Sequence, residues 1–283
     1  MDKALSKMYK IKQLLPNVYV INSFLVMSYV VVGEKAAMIL DTGYGYGDIS
    51  KVVKEITTLP LYVVDTHGHV DHSGGNFFFD GPTYIHEKDV ELYKQHHQPS
   101  LHRKVEESIK IFKRILFWRD FTSKTPAKFD EQRSQFNNFT FIKEGDKFDL
   151  GGITGEVIEI PGHTAGSVAL YFSELKLAIV SDGACDGPYL FLPESTNLTT
   201  YRKSLKKLEK LELDYLLTGH RKRLYTREDL TKWIYVAENP DFSNVRNEKE
   251  LFFAPGVVPM RVWGKGDSKR KGPSLVLDPS KVD

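Results

Sequence analysis

Residues 66–76 read Thr66-His67-Gly68-His69-Val70-Asp71-His72-Ser73-Gly74-Gly75-Asn76, with three histidines and an aspartate inside six positions. They follow directly on the apolar run Leu61-Tyr62-Val63-Val64. Imidazoles crowded in this way repel one another when protonated. A metal ion removes the conflict, because it binds the neutral nitrogen and expels the proton. His67 and His69 are two apart, so an extended segment presents both on one side. Asp71 and His72 follow as the chain turns, and face a second position nearby. Gly68, Gly74 and Gly75 let the backbone turn tightly and keep side chains clear of the site.

Working outward, residues 18–40 read as an opening β-meander rich in Val, Ile, Tyr and Phe, turning at Gly33-Glu34-Lys35. Its last strand delivers Asp41, and the loop Gly43-Tyr44-Gly45-Tyr46-Gly47 leads to Asp48 as a helix cap. Ile49, Val52, Val53 and Ile56 recur at helical spacing. Strand, helix and strand therefore lead into the histidine cluster, and this alternation predicts an α/β layered domain. Thr83–His86 reads as a further strand. Residues 89–124 read as a helical insertion, in which His96, His97 and His102 sit in polar surroundings and are expected to be solvated.

The second half repeats the strand pattern at Phe139–Ile142, Gly155–Ile160, Val168–Phe172, Leu177–Val180 and Asp214–Leu217. Leu198, Tyr201, Leu205, Leu208 and Leu211 mark an amphipathic helix, and Thr226 with Asp229 marks a capping box opening another. Residues 1–238 are expected to form one catalytic domain, and residues 239–283 an extension packed on it. In that tail Ser274–Leu277 is expected as an edge strand.

A net charge of +2 is too small to point to nucleic acid or to a membrane surface. The single cysteine, Cys185, rules out an internal disulfide and suits a reducing compartment, so a cytoplasmic location is expected. The apolar stretch 18–32 spans only 15 residues and contains Asn22, Ser23 and Ser28, which fits buried strands better than a membrane span.

Four predicted strand ends deliver residues of metal-binding type: the cluster after Asp65, then His163, Asp182 and His220. Five histidines and two aspartates are enough for two ions with three or four protein ligands each. Imidazole with carboxylate favours zinc, iron or manganese and leaves positions open for catalysis.

These landmarks, His67-x-His69-x-Asp71-His72, Gly162-His163-Thr164, Asp182 and Gly219-His220, resemble the metallo-β-lactamase-fold hydrolase superfamily and its glyoxalase II-like group. The resemblance runs from about Val18 to Lys222 and implies a four-layer αβ/βα sandwich. It further implies two divalent ions, zinc first with iron or manganese as alternatives. His67, His69 and His163 would hold one ion, and Asp71, His72 and His220 the other. Asp182 would bridge them, and Asp41 would orient the ligands from behind. Hydroxide between the ions would attack an ester, thioester, lactone or related bond of a small molecule, with Asp71 orienting the nucleophile or passing a proton. Tyr44, Tyr46, Cys185, Tyr189 and Phe191 follow the Asp41 and Asp182 strand ends and are expected in the substrate pocket. No nucleic acid or membrane partner is expected, and a homodimer is left open.

The commonest metallo-β-lactamases carry a cysteine where this chain has Asp182, which argues against penicillins as substrate. The alternative from another class is a persulfide dioxygenase, which resembles this chain in motif but holds one iron at the positions of His67, His163 and Asp182.

Overall fold

The computed structural model describes residues 8–23, 25–99, 134–250 and 254–282. The first sheet comprises β1 (Tyr9–Leu15), β2 (Val18–Ser23), β3 (Val26–Val32), β4 (Ala37–Leu40), β5 (Leu61–Val64), β6 (Thr83–His86) and β7 (Phe139–Ile142), in chain order. β1 to β4 form an antiparallel meander, and β4 to β7 pair in parallel. The second sheet is built from β8 (Lys147–Asp149), β9 (Thr154–Glu159), β10 (Val168–Phe172), β11 (Leu177–Ile179), β13 (Tyr215–Leu217) and β14 (Tyr225–Thr226). Its spatial order is β14-β13-β11-β10-β9-β8. The helices relevant here are α1 (Ile49–Val53), α2 (Val70–Ser73), α3 (Val90–His96), α4 (Leu198–Glu209) and α5 (Arg227–Glu238).

The two-residue period of the strands sorts side chains into layers. Tyr29, Val31, Met38, Leu40 and Val64 face inward and meet Val168, Leu170, Leu177, Ile179 and Leu217 of the second sheet. Their neighbours Val30, Ile39 and Val63 face outward onto Ile49, Val52 and Val53 of α1. On the far side, Ala169, Ala178 and Leu216 pack against α4 and α5 through Leu198, Tyr201, Leu205, Leu230 and Trp233. Helix, sheet, sheet and helix thus form the four-layer αβ/βα sandwich. Each buried Val, Leu or Ile contributes roughly 1.5–3 kcal/mol, so the alternation itself selects this stacking over any one-residue slip.

Local signals behave as their chemistry dictates. Asp48 accepts the Ser50 backbone N–H at 3.1 Å and starts α1. Thr226 and Asp229 form a reciprocal capping box at the start of α5. The basic face of α4 is largely paired: Lys206 meets Glu209 and Glu238, and Lys207 meets Glu144.

One expectation is corrected. Ser274–Leu277 is a strand, β17, but not an edge. It lies inside a third sheet with β12 (Tyr189–Leu190) on one side and, on the other, β16 (Met260–Gly264) and then β15 (Pro240–Asn247). All four of its residues are buried, and Leu275 and Leu277 join Val262 in the cluster around α4 and α5. Of the helical insertion, α3 is the described part and ends at His96. Residues 100–133, with His102 and the aromatic pair Phe117-Trp118, lie outside the described residues. Among the described residues no helix is long and apolar enough to cross a membrane.

The site is positioned by strand direction. β9 and β11 are both antiparallel to β10, and β13 is parallel to β11, so the carboxyl ends of all three reach one edge. There they meet the carboxyl ends of β4 and β5. Backbone bonds stitch the sheets at this edge: Met27 N–H to the Gly219 carbonyl at 2.8 Å, and Val168 N–H to the Thr66 carbonyl at 2.9 Å. The buried Tyr29 hydroxyl adds a bond to the Thr218 carbonyl at 2.7 Å.

Candidate metal centre

After β5 the chain bends through residues 66–68, is extended at His69 (φ −68°, ψ 142°) and then winds into the single turn of α2. The bend and the residue after it carry His67 and His69, and the helical turn carries Asp71 and His72. His163 arrives from the loop after β9, Asp182 from the turn after β11, and His220 from the loop after β13. Ring or carboxylate donor atoms of His67, His69 and His163 lie within 4.8 Å of one another, as do those of Asp71, His72 and His220. Donors around one tetrahedral ion at ~2 Å sit roughly 3.3 Å apart, so small side-chain adjustments close each triad.

Asp182 faces both triads. Its Oδ2 lies 3.0 Å from His220 Nε2, 3.6 Å from His72 Nε2 and 3.7 Å from His163 Nε2. Asp71 Oδ2 stands 3.5 Å from His72 Nε2 and 3.7 Å from His220 Nε2. His69 turns its Nδ1 inward, 3.0 Å from His163 Nε2.

The opposite nitrogen of every ring is held from outside, which fixes tautomer and orientation. His72 Nδ1 donates to Asp41 Oδ2 at 2.7 Å. His163 Nδ1 donates to the Tyr189 carbonyl, and His220 Nδ1 to the Leu25 carbonyl, each at 2.8 Å. His69 Nε2 donates to Glu194 Oε1 at 2.6 Å. His67 Nδ1 meets the Thr66 hydroxyl at 3.1 Å, and that hydroxyl in turn donates to Asp41. Nε2 of His67 and Nε2 of His72 are left buried without a hydrogen-bond partner. An unpaired buried polar atom is costly, and a cation at the centre of each triad satisfies both. The donor set and its geometry fit a divalent metal site.

Asp41 is nearly fully buried and adopts a left-handed backbone (φ 61°), as does Ser181 (φ 46°). Such conformations are strained for residues with a Cβ. Here they bring the two strand ends together: Ser181 Oγ donates to Asp41 Oδ2 at 2.8 Å, and Asp41 Oδ1 accepts the Thr66 N–H at 2.8 Å.

Charge states follow from burial and neighbours. Burial, aided by His69, pushes His163 down to about 4. Burial together with His72, His69 and His163 holds His67 well below its ordinary value. Burial alone would also lower His220, yet the Asp182 carboxylate lifts it to about 9. Burial opposes the charge on Asp182, but His220 and His72 hold its carboxyl well below the usual range.

The pocket candidates divide. Tyr44 stacks on Tyr46 with ring centroids 5.5 Å apart, and burial plus the Asp71 charge raises its pKa, so it borders the donors. Burial, with Asp182 nearby, pushes the Cys185 thiol up to about 12, which makes it a poor nucleophile at neutral pH. Tyr189 is 37% exposed beside the centre. Phe191 is a correction: it is 1% exposed and packs with Leu192, Ala254 and Val276, so its ring fills a seam with the tail.

His96 and His97 are also corrected. His96 stacks on His69 with centroids 4.8 Å apart, and burial lowers it to about 4. His97 is buried, stacks on Tyr93 and donates from Nδ1 to the Tyr93 carbonyl at 2.7 Å. Helical periodicity cannot report what a helix end leans against. Glu194 and Asp89 were missed altogether. Asp89 is buried and accepts from Gly68 N–H at 2.9 Å, Gly166 N–H at 2.7 Å and the Thr164 hydroxyl at 2.7 Å, so it ties both ligand loops together.

A family model described as the metallo-beta-lactamase superfamily matches residues 22–220. Acyl-coenzyme A thioesterase MBLAC2 from Homo sapiens is 24% identical over 209 residues, covering 68% of this chain and 71% of its own length. A hydroxyacylglutathione hydrolase from Cereibacter sphaeroides is 36% identical over 80 residues, 28% of this chain and 31% of its own. Among solved structures, a metallo-beta-lactamase family protein from Thermus thermophilus matches with TM-score 0.58 and 22% identity, covering 78% of this chain and 79% of its own. A metallo-beta-lactamase from Pontibacter korlensis matches with TM-score 0.55 and 18% identity, covering 82% and 99%. At these identities the structural matches speak to the fold.

Proposed function

The chain belongs to the metallo-beta-lactamase superfamily, and from that premise we propose that it is a binuclear metal-dependent hydrolase of small-molecule esters, thioesters or lactones, thioesters first. The observation that carries this reading is the pair of donor triads facing one shared carboxylate, with Nε2 of His67 and of His72 buried and partnerless between them. Two relatives carry names, acyl-coenzyme A thioesterase and hydroxyacylglutathione hydrolase, that denote release of an acyl group from a sulfur carrier. They support the thioester choice.

His67, His69 and His163 would hold one ion, Asp71, His72 and His220 the second, and Asp182 both. Bound divalent metal, zinc first, supplies Lewis acidity and a water acidic enough to be a nucleophile near neutral pH. The protein's part is to aim one nitrogen of each imidazole inward, which the outward hydrogen bonds to Asp41, Thr66, Tyr189, Leu25 and Glu194 accomplish. Burial opposes the charge of Asp71, but His72 and His220 lower its pKa, so it is ionised at neutral pH. Its free oxygen accepts a hydrogen bond and orients the attacking water. Cys185, protonated and half-buried, takes no covalent part.

The test is metal analysis of protein purified without added metal, with a panel of thioesters, lactones, phosphodiesters and β-lactams. Two zinc or manganese ions per chain with thioester turnover is expected, and Asp182→Ala takes the metal content below two ions per chain and lowers turnover by about a hundredfold. One iron per chain with oxygen-dependent oxidation of a thiol persulfide would overturn the reading in favour of a dioxygenase.

A further inference from the structure

Residues 186–195 run past the first donor triad and touch it three times. The Tyr189 carbonyl accepts from His163 Nδ1 at 2.8 Å, the Ser195 hydroxyl donates to the His163 carbonyl at 2.8 Å, and Glu194 accepts from His69 Nε2 at 2.6 Å. Two of the three histidines in that triad therefore take their orientation from this one segment.

The segment in turn is held by residues 254–282. β12 pairs with β17 in parallel, Tyr189 opposite Val276 and Leu190 opposite Leu277. Ser274 N–H reaches the Asp186 carbonyl at 2.8 Å, and Val276 N–H the Pro188 carbonyl at 3.1 Å. Beyond β12 the strand pairing stops; the Glu194 turn closes through Ser195 N–H to the Leu192 carbonyl at 2.9 Å, and one side chain from the tail gathers its carbonyls. The Lys281 ammonium donates to the carbonyls of Leu192, of Pro193 at 3.2 Å and of Ser195 at 2.8 Å. An ammonium has three N–H donors, and all three are spent on carbonyls within four consecutive residues. Those carbonyls lie on both sides of Glu194, so the clamp sets where its carboxylate points.

We propose that Lys281 is a positioning residue for the first metal position: by clamping residues 192–195 it fixes Glu194 against His69 and Ser195 against His163. It acts through the backbone and touches neither metal nor substrate. The inference rests on the proposal above that His67, His69 and His163 hold an ion.

The test measures both metal affinities by chelator competition, and the urea midpoint of the metal-free protein, for wild type, Lys281→Met, Lys281→Arg, Glu194→Gln and the double variant Lys281→Met with Glu194→Gln. Lys281→Met is expected to weaken one ion by about 10–100-fold and leave the other within about twofold. Lys281→Arg, which keeps the charge and the donors, recovers most of the loss. The double variant is no weaker than the weaker single, because both changes cut the same path. Should Lys281→Met not fold, Lys281→Gln keeps N–H donors on a shorter stem and carries the same comparison. Unchanged affinities in Lys281→Met would overturn the inference. So would equal weakening of both ions in step with a lower urea midpoint, or losses that multiply in the double variant. Wild-type protein that takes up no metal would instead overturn the metal-centre reading itself, and this inference with it.

Discussion

Gly219 occupies a point where no side chain fits. A Cβ built there would lie 2.3 Å from Asp182 Oδ1, 2.7 Å from His72 Cε1 and 2.9 Å from Ser181 Oγ. Gly219→Ala is therefore expected to cost about 1–3 kcal/mol of stability. It should also displace the shared carboxylate, with metal content falling below one ion per chain by elemental analysis; full content would show that Asp182 has room to move. The histidines differ in the protons they must give up. At pH 7 His163, at about 4, is already neutral, whereas His220, at about 9, carries a proton that a metal ion has to expel. Burial opposes the charge on His72, but Asp71, Asp182 and Asp41 likewise hold it well above its ordinary value. Affinity at the triad of Asp71, His72 and His220 should accordingly rise by at least about tenfold per pH unit between pH 7 and roughly pH 9, more steeply than at the triad that contains His163. Calorimetric titration in two buffers of different ionisation enthalpy separates the two, and equal proton release at both positions would contradict the assignment.

At the scale of elements, the loops after β5 and β9 carry the whole of the first triad, and Asp89 joins them. Asp89→Ala leaves the Gly68 and Gly166 amides and the Thr164 hydroxyl without their acceptor. A loss of about 3–5 kcal/mol is expected, read as a lower urea midpoint at unchanged slope. Asp89→Asn should fall between, since its carbonyl oxygen still accepts. The central strands and the metal-type residues at their ends were legible because alternation and strand-end position are local signals: Val63 and Val64 already face opposite layers before His67 is reached. β12 was not legible, since two residues carry no period and their pairing partner lies more than 80 positions away. Glu194 sits in such a segment, and nothing in Leu192-Pro193-Glu194-Ser195 announces a histidine 125 positions earlier. The tail failed for the same reason: Lys281 reads as a surface charge until the loop it clamps is in place.

For the molecule as a whole, the two sheets meet through an apolar layer and, at one edge, through the donor triads. The triad of His67, His69 and His163 draws on both sheets, and so does that of Asp71, His72 and His220. Bound ions thus act across the interface. An ion present at about a hundred times its dissociation constant adds roughly 2.7 kcal/mol, so chelation should lower the thermal midpoint by about 5–10 °C; an unchanged midpoint would mean that the sheets do not depend on the ions. The same division has a consequence in time. His72 leaves the ribosome about 90 residues before His163 and about 150 before His220. At roughly 5–20 residues per second, the early donors wait unpartnered for on the order of ten seconds, and Lys281 follows His220 by about 60 residues more. Metal loading is therefore ordered along the chain: the nascent protein can gather loose ions at residues 67–72, but it acquires selective affinity only after the later donors are made and β17 has docked beside β12.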